Sequence, residues 1–297
     1  MWKKILVPLD GSDLAELALP YAEELANAFK SEIILLNVSD PADTHHRHMH
    51  ELYMKEVADR VKERIKKVSP VVVSGKAADE IIGYAEKNDV GLIIITSHGH
   101  SGIMSWATGS IASKLLQATA VPMLLVRAVK TRRKVQRPVL LNRILLNRIL
   151  LPLDGSEAGE AAVEYIGELM SRLESEVILL GAVSSGQHIR SVGGLDYIHY
   201  PQEQLEIFKK EAQEYMDGVY RRLKRRKGTV KVAVKVGADD IGQEIIKFAE
   251  KERVNLIAIS SHGHSGIEKW VFGSIANKVV QGSKAPVLLV KALGEKV

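Results

Sequence analysis

Most of the chain is written twice. KKILVPLDGSD (Lys3–Asp13) returns as NRILLPLDGSE (Asn147–Glu157), and SEIILLNVSD (Ser31–Asp40) returns as SEVILLGAVS (Ser175–Ser184). Leu92–Ala128 matches Leu256–Ala292 at 22 of 37 positions without a gap. A repeat this long is a whole duplicated domain, since solenoid units stop at about 45 residues. Whatever the first half folds into, the second half must be able to fold into as well, and 297 residues suffice for two cores.

Within one copy, strand and helix patterns alternate. ILVPL and EIILLNV are short runs of branched apolar residues, which is how strands buried on both faces of a parallel sheet read. Between them, Leu14, Leu17, Ala18, Tyr21, Leu25 and Ala28 recur at helical spacing, with Ser12 as N-cap and Asp13 at the positive helix end. Pro20 predicts a slight bend in that helix. A helix over about 50–68, a strand PVVVSG, a helix ADEIIGYAEKN, a strand VGLIIIT, a loop, a helix opening at Gly109-Ser110 and a strand VPMLLV complete the copy. The alternation predicts an α/β fold: a doubly wound parallel sheet with right-handed crossovers, present as a tandem repeat.

The boundaries expected are 1–128 for the first domain, 129–145 for a linker and 146–297 for the second domain. VKTRRKVQRPVL (Val129–Leu140) carries five basic residues and no acid, the composition of an exposed connection. A local duplication, LLNRILLNRI, leads out of it and suggests no function. The second copy is longer, mostly where SSGQHIRSVGGLDYIHYP predicts a loop before a long helix over about 201–226.

Composition removes several chemistries. There are no cysteines, so disulfides, thiolate nucleophiles and cysteine-ligated zinc are excluded. No run approaches the ~18–20 apolar residues of a membrane span, and the start, soon interrupted by Asp10, does not read as a signal peptide, so no membrane association and a cytoplasmic location are expected. The formal net charge of +5 suits an anionic ligand, but the cations are spread along the chain, which disfavours nucleic acid as a partner.

In open α/β sheets ligands sit beyond the carboxyl ends of the strands. That directs attention to Asp10, to Val38 and Ser39, and to the stretch after the fourth strand, where SHGHSG occurs as Ser97–Gly102 and again as Ser261–Gly266. Nine residues separate Gly99 from Gly109-Ser110, and nine separate Gly263 from Gly273-Ser274, although the filler changes from HSGIMSWAT to HSGIEKWVF. Glycines admit an anion close to backbone amides, and the opening of a helix offers free N–H groups and a favourable dipole for phosphate. Three or four charge-assisted hydrogen bonds, at about 1.5–3 kcal/mol each, could hold a nucleotide at micromolar strength.

VPLDGS, LLNV, and Ser-His-Gly followed after nine residues by Gly-Ser together resemble the universal stress protein (UspA-like) family, over nearly all of both halves as in its tandem members. The resemblance implies a five-stranded, adenine nucleotide alpha hydrolase-like sheet in each domain and binding of ATP or AMP, with magnesium on the phosphates left open. Position by position it implies that Asp10 and Val38 meet the adenosine, Val38 through its backbone, that Gly99, Gly109, Ser110 and Ile111 follow the phosphates and ribose, and that Pro8, Thr96 and His98 belong to the same nucleotide site. The matching positions are Pro152, Asp154, Ala182, Ser260, His262, Gly263, Gly273, Ser274 and Ile275. The family's nucleotide-binding pattern begins with glycine where this chain has Thr96 and Ser260, and Ala182 replaces the valine of the first copy. The resemblance also implies an internal pseudo-dimer and leaves a homodimer open.

Plainer readings stand beside these. The glycines could serve turns alone, and Asp10 could be a capping carboxylate. His98 and His100 as a metal pair lack further ligands nearby, and Ser97-His98 as nucleophile and base lacks a G-x-S-x-G elbow. HHRHMH (His45–His50) has no counterpart in the second copy and reads as a solvated loop. RRLKRRK (Arg221–Lys227) reads as a basic helix end, and Trp106 and Trp270 as packing anchors. Three functions follow: a nucleotide-binding signalling module, a slow ATPase or phosphotransferase using Asp10, and a nucleotide-free partner-binding protein. No catalytic residue and no metal ligand is assigned.

Overall fold

A computed structural model describes residues 1–41, 47–97, 109–127, 130–131, 134–135, 145–191, 194–260 and 273–291. They fall into two units, which are taken separately. One comprises the described part of Met1–Leu145 together with Lys284–Lys291, and the other the described part of Leu146–Glu268 with 273–283.

The first unit holds β1 (Lys4–Pro8), β2 (Glu32–Ser39), β3 (Val68–Ser74), β4 (Leu92–Thr96) and β5 (Met123–Val126), in the spatial order β3-β2-β1-β4-β5 and all parallel. Ile5, Leu6 and Val7 of β1 and Leu92, Ile93 and Ile94 of β4 have no exposed surface, as strands covered on both faces require. The helices are α1 (Leu19–Phe29), α2 (Arg47–Lys62), α3 (Ala77–Lys87) and α4 (Ser110–Ala118). The helix expected to start at Ser12 is divided: a 3-10 turn spans Ala15–Ala18, and Pro20 stands in the first turn of α1 instead of bending it. That is the position where a missing N–H and a fixed φ do no harm. After β5 come two short strands, β6 (Lys130–Thr131) and β7 (Lys134–Val135), which pair with each other within the basic segment.

The second unit repeats the plan with β8 (Arg148–Leu153), α5 (Ala161–Leu173), β9 (Glu176–Ser184), β12 (Thr229–Ala238), α7 (Ile241–Lys251), β13 (Leu256–Ser260) and α8 (Ser274–Gly282), in the strand order β12-β9-β8-β13. The stretch expected to be a loop is instead a hairpin of β10 (Gly186–Ser191) and β11 (Gly194–His199), antiparallel from Gly186↔His199 to Ser191↔Gly194. In the sequence, glycines stand between two runs of strand-forming residues, a hairpin signature that overall polarity conceals. The hairpin is tied at its base, where the Ser185 hydroxyl is 2.7 Å from the Tyr197 hydroxyl and donates to Asp239 Oδ1 at 2.5 Å. The long helix α6 (Gln202–Leu223) follows. The last strand, β14 (Val287–Val290), belongs to the first unit and runs antiparallel to β5. Among the described residues no helix is long and apolar enough to cross a membrane.

One joint is built identically in both units. α1 and α5 end in a left-handed residue, Lys30 (φ 59°) and Glu174 (φ 52°), which turns the chain back into the next strand. The serine that follows is buried and donates its hydroxyl to a buried carbonyl before the first strand: Ser31 to Trp2 O, and Ser175 to Leu146 O at 2.6 Å. Removing either hydroxyl takes away a buried hydrogen bond. Ser31→Ala and Ser175→Ala should each destabilise the chain by about 1–3 kcal/mol in urea unfolding, and an unchanged midpoint would show the joints to be dispensable.

Candidate functional site

The turn after β1 is set by three residues. Gly11 has φ 83° and its counterpart Gly155 φ 81°, a conformation that side chains with a Cβ resist. Asp10 Oδ1 accepts from Ser12 N at 3.0 Å and from the Ser12 hydroxyl at 2.6 Å, while Ser12 Oγ accepts from Ala15 N at 3.1 Å. Asp154 and Ser156 repeat this at 3.1 Å and 2.6 Å, and Ser156 Oγ accepts from Gly159 N at 2.9 Å. Each aspartate is therefore oriented by its own turn, at the carboxyl end of the first strand of its unit.

The end of β4 is tied to the start of α4. Ser97 N donates to Val126 O and Gly109 N donates to Ser97 O, both at 2.8 Å. The first helical bond of α4 is Ser113 N to Gly109 O at 2.9 Å, which leaves the N–H groups of Ser110, Ile111 and Ala112 without intrahelical acceptors. Gly109 (φ −55°, ψ 154°) and Gly273 (φ −57°, ψ 143°) are extended residues, so glycine serves there by its missing Cβ and not by an unusual backbone.

These pieces surround a cavity of about 300 Å³ beyond the carboxyl ends of β1, β2 and β4. Leu36, Val38, Ile81 and Ile95 give it an apolar wall; Asp10, Ser97, Gly109 and Ser110 give it a polar one. Of the residues singled out in the first half, Pro8, Asp10, Val38, Thr96, Gly109, Ser110 and Ile111 all line this space. His98 and Gly99 lie outside the described residues, as do His262 and Gly263 of the second half. In the second unit Pro152 is buried near the end of β8, Asp154 is exposed just beyond it, Ala182 lies in β9, and Gly273, Ser274 and Ile275 open α8. Ser260, the counterpart of Thr96, ends β13, and its buried hydroxyl has no hydrogen-bond partner among the described residues.

Sequence reading missed Ala77 and Ile81, which bring α3 to the cavity. It also missed a repeated cluster. Tyr53 donates to Glu16 Oε1 at 3.3 Å and Arg60 donates to Glu16 Oε2 at 2.6 Å, fastening α2 onto the 3-10 turn that follows the Asp10 loop. Burial, then the Glu16 charge and hydrogen bond, push the Tyr53 phenol above its ordinary range. In the second unit Arg222 donates to Glu160 Oε2 at 2.7 Å. Tyr215 is pushed up by burial and then by Glu160, though its hydroxyl lacks a hydrogen bond of acceptable geometry. The signal was available as Tyr-Met-x2-Val-x2-Arg, at Tyr53–Arg60 and Tyr215–Arg222. Glu16→Gln should destabilise the chain by about 1–2 kcal/mol in urea unfolding, and Tyr53→Phe by about half as much; equal, negligible effects would remove the cluster from the fold's support.

A second electrostatic feature belongs to the second unit alone. Asp240, the N-cap of α7, accepts from Gln243 N at 3.0 Å and pairs with Lys278 of α8. The Lys278 hydrogen bond, and after it the Gln243 N–H, hold this carboxyl below its usual range against a small opposing effect of burial. A depressed folded-state pKa contributes stability that is complete above the unfolded aspartate value of about 3.9 and is lost as pH falls through the lower folded value. Asp240→Asn should therefore flatten the stability curve below about pH 4 while leaving its shape near neutrality unchanged; an unaltered acid limb would contradict the pairing.

The Universal stress protein family model matches residues 1–127 and 146–291. A universal stress protein of Methanocaldococcus jannaschii is 28% identical over 158 residues, covering 50% of this chain and 96% of its own length. Among solved structures, one described as a putative universal stress protein, from Pseudomonas aeruginosa, aligns with a TM-score of 0.70 at 17% identity, covering 98% of this chain and 93% of its own. A universal stress protein from Archaeoglobus fulgidus aligns at 0.65 and 20% identity, covering 98% and 99%. At these identities the two structures speak to the fold alone.

Proposed function

Since the chain belongs to the universal stress protein family, we propose that it is a tandem nucleotide-binding module, with domains at 1–128 and 146–297 joined by the basic segment 129–145, that takes up an adenine nucleotide, ATP or AMP, and signals through the bound state. The observation that carries this reading is the first unit's cavity, whose apolar wall suits a flat base and whose polar wall ends at the three N–H groups of α4 that have no intrahelical acceptor. In this reading Val38 and Pro8 border the base, Asp10 takes the ribose, and Gly109, Ser110 and Ile111 receive the phosphates, with Thr96, His98 and Gly99 alongside. The second unit offers Pro152, Asp154, Ala182, Ser260, His262, Gly263, Gly273, Ser274 and Ile275 in the same roles. The orphaned Ser260 hydroxyl supports a ligand there, because a buried hydroxyl without a partner is unfavourable until something supplies one. Among the described residues no three His, Asp or Glu side chains converge to hold a metal, so a magnesium ion would be carried by the phosphates.

The midpoint of thermal unfolding should rise with ATP, ADP or AMP concentration as RT ln(1 + [L]/Kd) requires. Gly109→Val, which places a branched side chain at the mouth of α4, should abolish the first binding event, and Gly273→Val the second. No shift with any of the three nucleotides at millimolar concentration would end the proposal. Steady phosphate release that Asp10→Ala abolishes would replace the binding module with an enzyme.

A further inference from the structure

The two sites differ most in charge at the junction of the helices that flank them. α3 and α7 are counterparts, as are α4 and α8, and the internal alignment sets Lys76 against Asp240, Ala78 against Gly242, and Lys114 against Lys278. In the second unit Asp240 and Lys278 form an ion pair, and the lysine reaches it by lying across Gly242. A Cβ at Gly242 would sit 2.9 Å from Lys278 Cδ and 3.0 Å from its Cβ. In the first unit neither condition holds: Ala78 occupies that path, and the N-cap position is itself a lysine. Neither Lys76 nor Lys114 has an acidic partner within ion-pair distance among the described residues, and both are exposed.

Lys76 is an unfavourable choice for its local structure. It is the N-cap of α3 and makes no side-chain cap, whereas Asp240 caps α7 through Gln243 N. It also places a cation at the positive end of a helix dipole. It stands directly before Ala77, which lines the cavity. Lys114 lies one turn into α4 from Ser110, and the Cα–Cβ bond of a helical residue tilts toward the helix N-terminus, where three N–H groups have no intrahelical acceptor. A residue that breaks a local rule beside a cavity is expected to answer to the ligand.

We propose that the first unit's cavity selects its nucleotide by phosphate charge, preferring a nucleoside triphosphate to the monophosphate through Lys76 and Lys114, while in the second unit the Asp240–Lys278 pair removes that preference. The inference rests on the nucleotide-binding reading above. A triphosphate brings two more anionic groups to the helix junction than a monophosphate. There the first unit has two cations that form no ion pair among the described residues, with Asp79 and Glu80 in the first turn of α3; the second has one cation already bound, with Asp239 and Asp240 beside it.

Calorimetric titration of the full chain with ATP and with AMP, in the Gly273→Val background for the first site and the Gly109→Val background for the second, tests this. The ratio of AMP to ATP dissociation constants should be roughly tenfold larger at the first site, a few-fold for each exposed charge contact, and should shrink toward unity in about 0.5 M salt. Lys76→Asp should reduce the first-site ratio to that of the second, Lys76→Met should reduce it partway, and Asp240→Asn should raise the second-site ratio. Affinity for AMP should change little in each, which separates charge selection from damage to the fold. Equal ratios at the two sites, or a first-site ratio indifferent to Lys76→Asp, would overturn the inference and leave nucleotide binding intact. Absence of binding by either nucleotide in the unsubstituted chain would remove both.

Discussion

Strands buried on both faces can be joined in parallel only by crossovers, and this constraint decides where the rest of the chain can go. β1 pairs with β2 on one side and β4 on the other, so the chain first works outward through β2 and β3 and then returns to the opposite flank. Helices leaving in opposite directions from neighbouring strands cannot both cover the ground above them. The cavity occupies that uncovered ground. Pro8 and Thr96, the last residues of β1 and β4, border it because both strands end where it opens.

What makes the opening chemically useful is the economy of the two loops beside it. Gly11 and Asp10 turn the chain sharply enough that the carboxylate, already bonded to Ser12, stays at the rim. Glu16, one 3-10 turn later, is held by Tyr53 and Arg60 from α2, so a helix that contributes no lining residue still fixes the position of one that does. The contact of Gly109 N with Ser97 O performs the same service on the other side, holding the end of β4 to the start of α4. Each is a polar contact at the edge of an apolar core, where a hydrogen bond fixes geometry more than it adds stability.

Much of this was legible from residue order. Repetition established the domain plan, branched apolar runs marked the strands, and Asp10, Val38 and Gly109-Ser110 could be named because strand ends and helix starts announce themselves in sequence. What escaped depended on contacts between distant segments. Ala77 and Ile81 look like ordinary core-facing residues of an amphipathic helix, and only the sheet order brings them to the same space as Thr96. The Tyr53–Glu16–Arg60 cluster joins positions 37 and 44 residues apart, and although its motif is repeated, neither half gives a chemical reason to look for it. The β10–β11 hairpin was obscured for another reason: its polar residues match loop composition, while its strand pattern extends over two short arms.

Duplication also supplies a control that a single domain lacks. Where both copies keep a residue, as with Asp10 and Asp154 or Ser110 and Ser274, the shared fold is a sufficient explanation. Where they part, the fold is not, because the same backbone has accepted both choices. At the start of α3 the structurally better residue is known, since Asp240 occupies the equivalent place in α7 and caps it. The first copy has lysine there, forgoing a cap at a helix end that prefers a negative charge, and has alanine where Gly242 would have let its partner lysine lie down. At the cap, stability alone favours the other arrangement, whereas alanine is the better helix former at the second position, so the lysine is the departure that the fold does not explain. The departure therefore points outward, to an anion that the two lysine ammonium groups meet beside the start of α4, whose first N–H groups have no intrahelical acceptor.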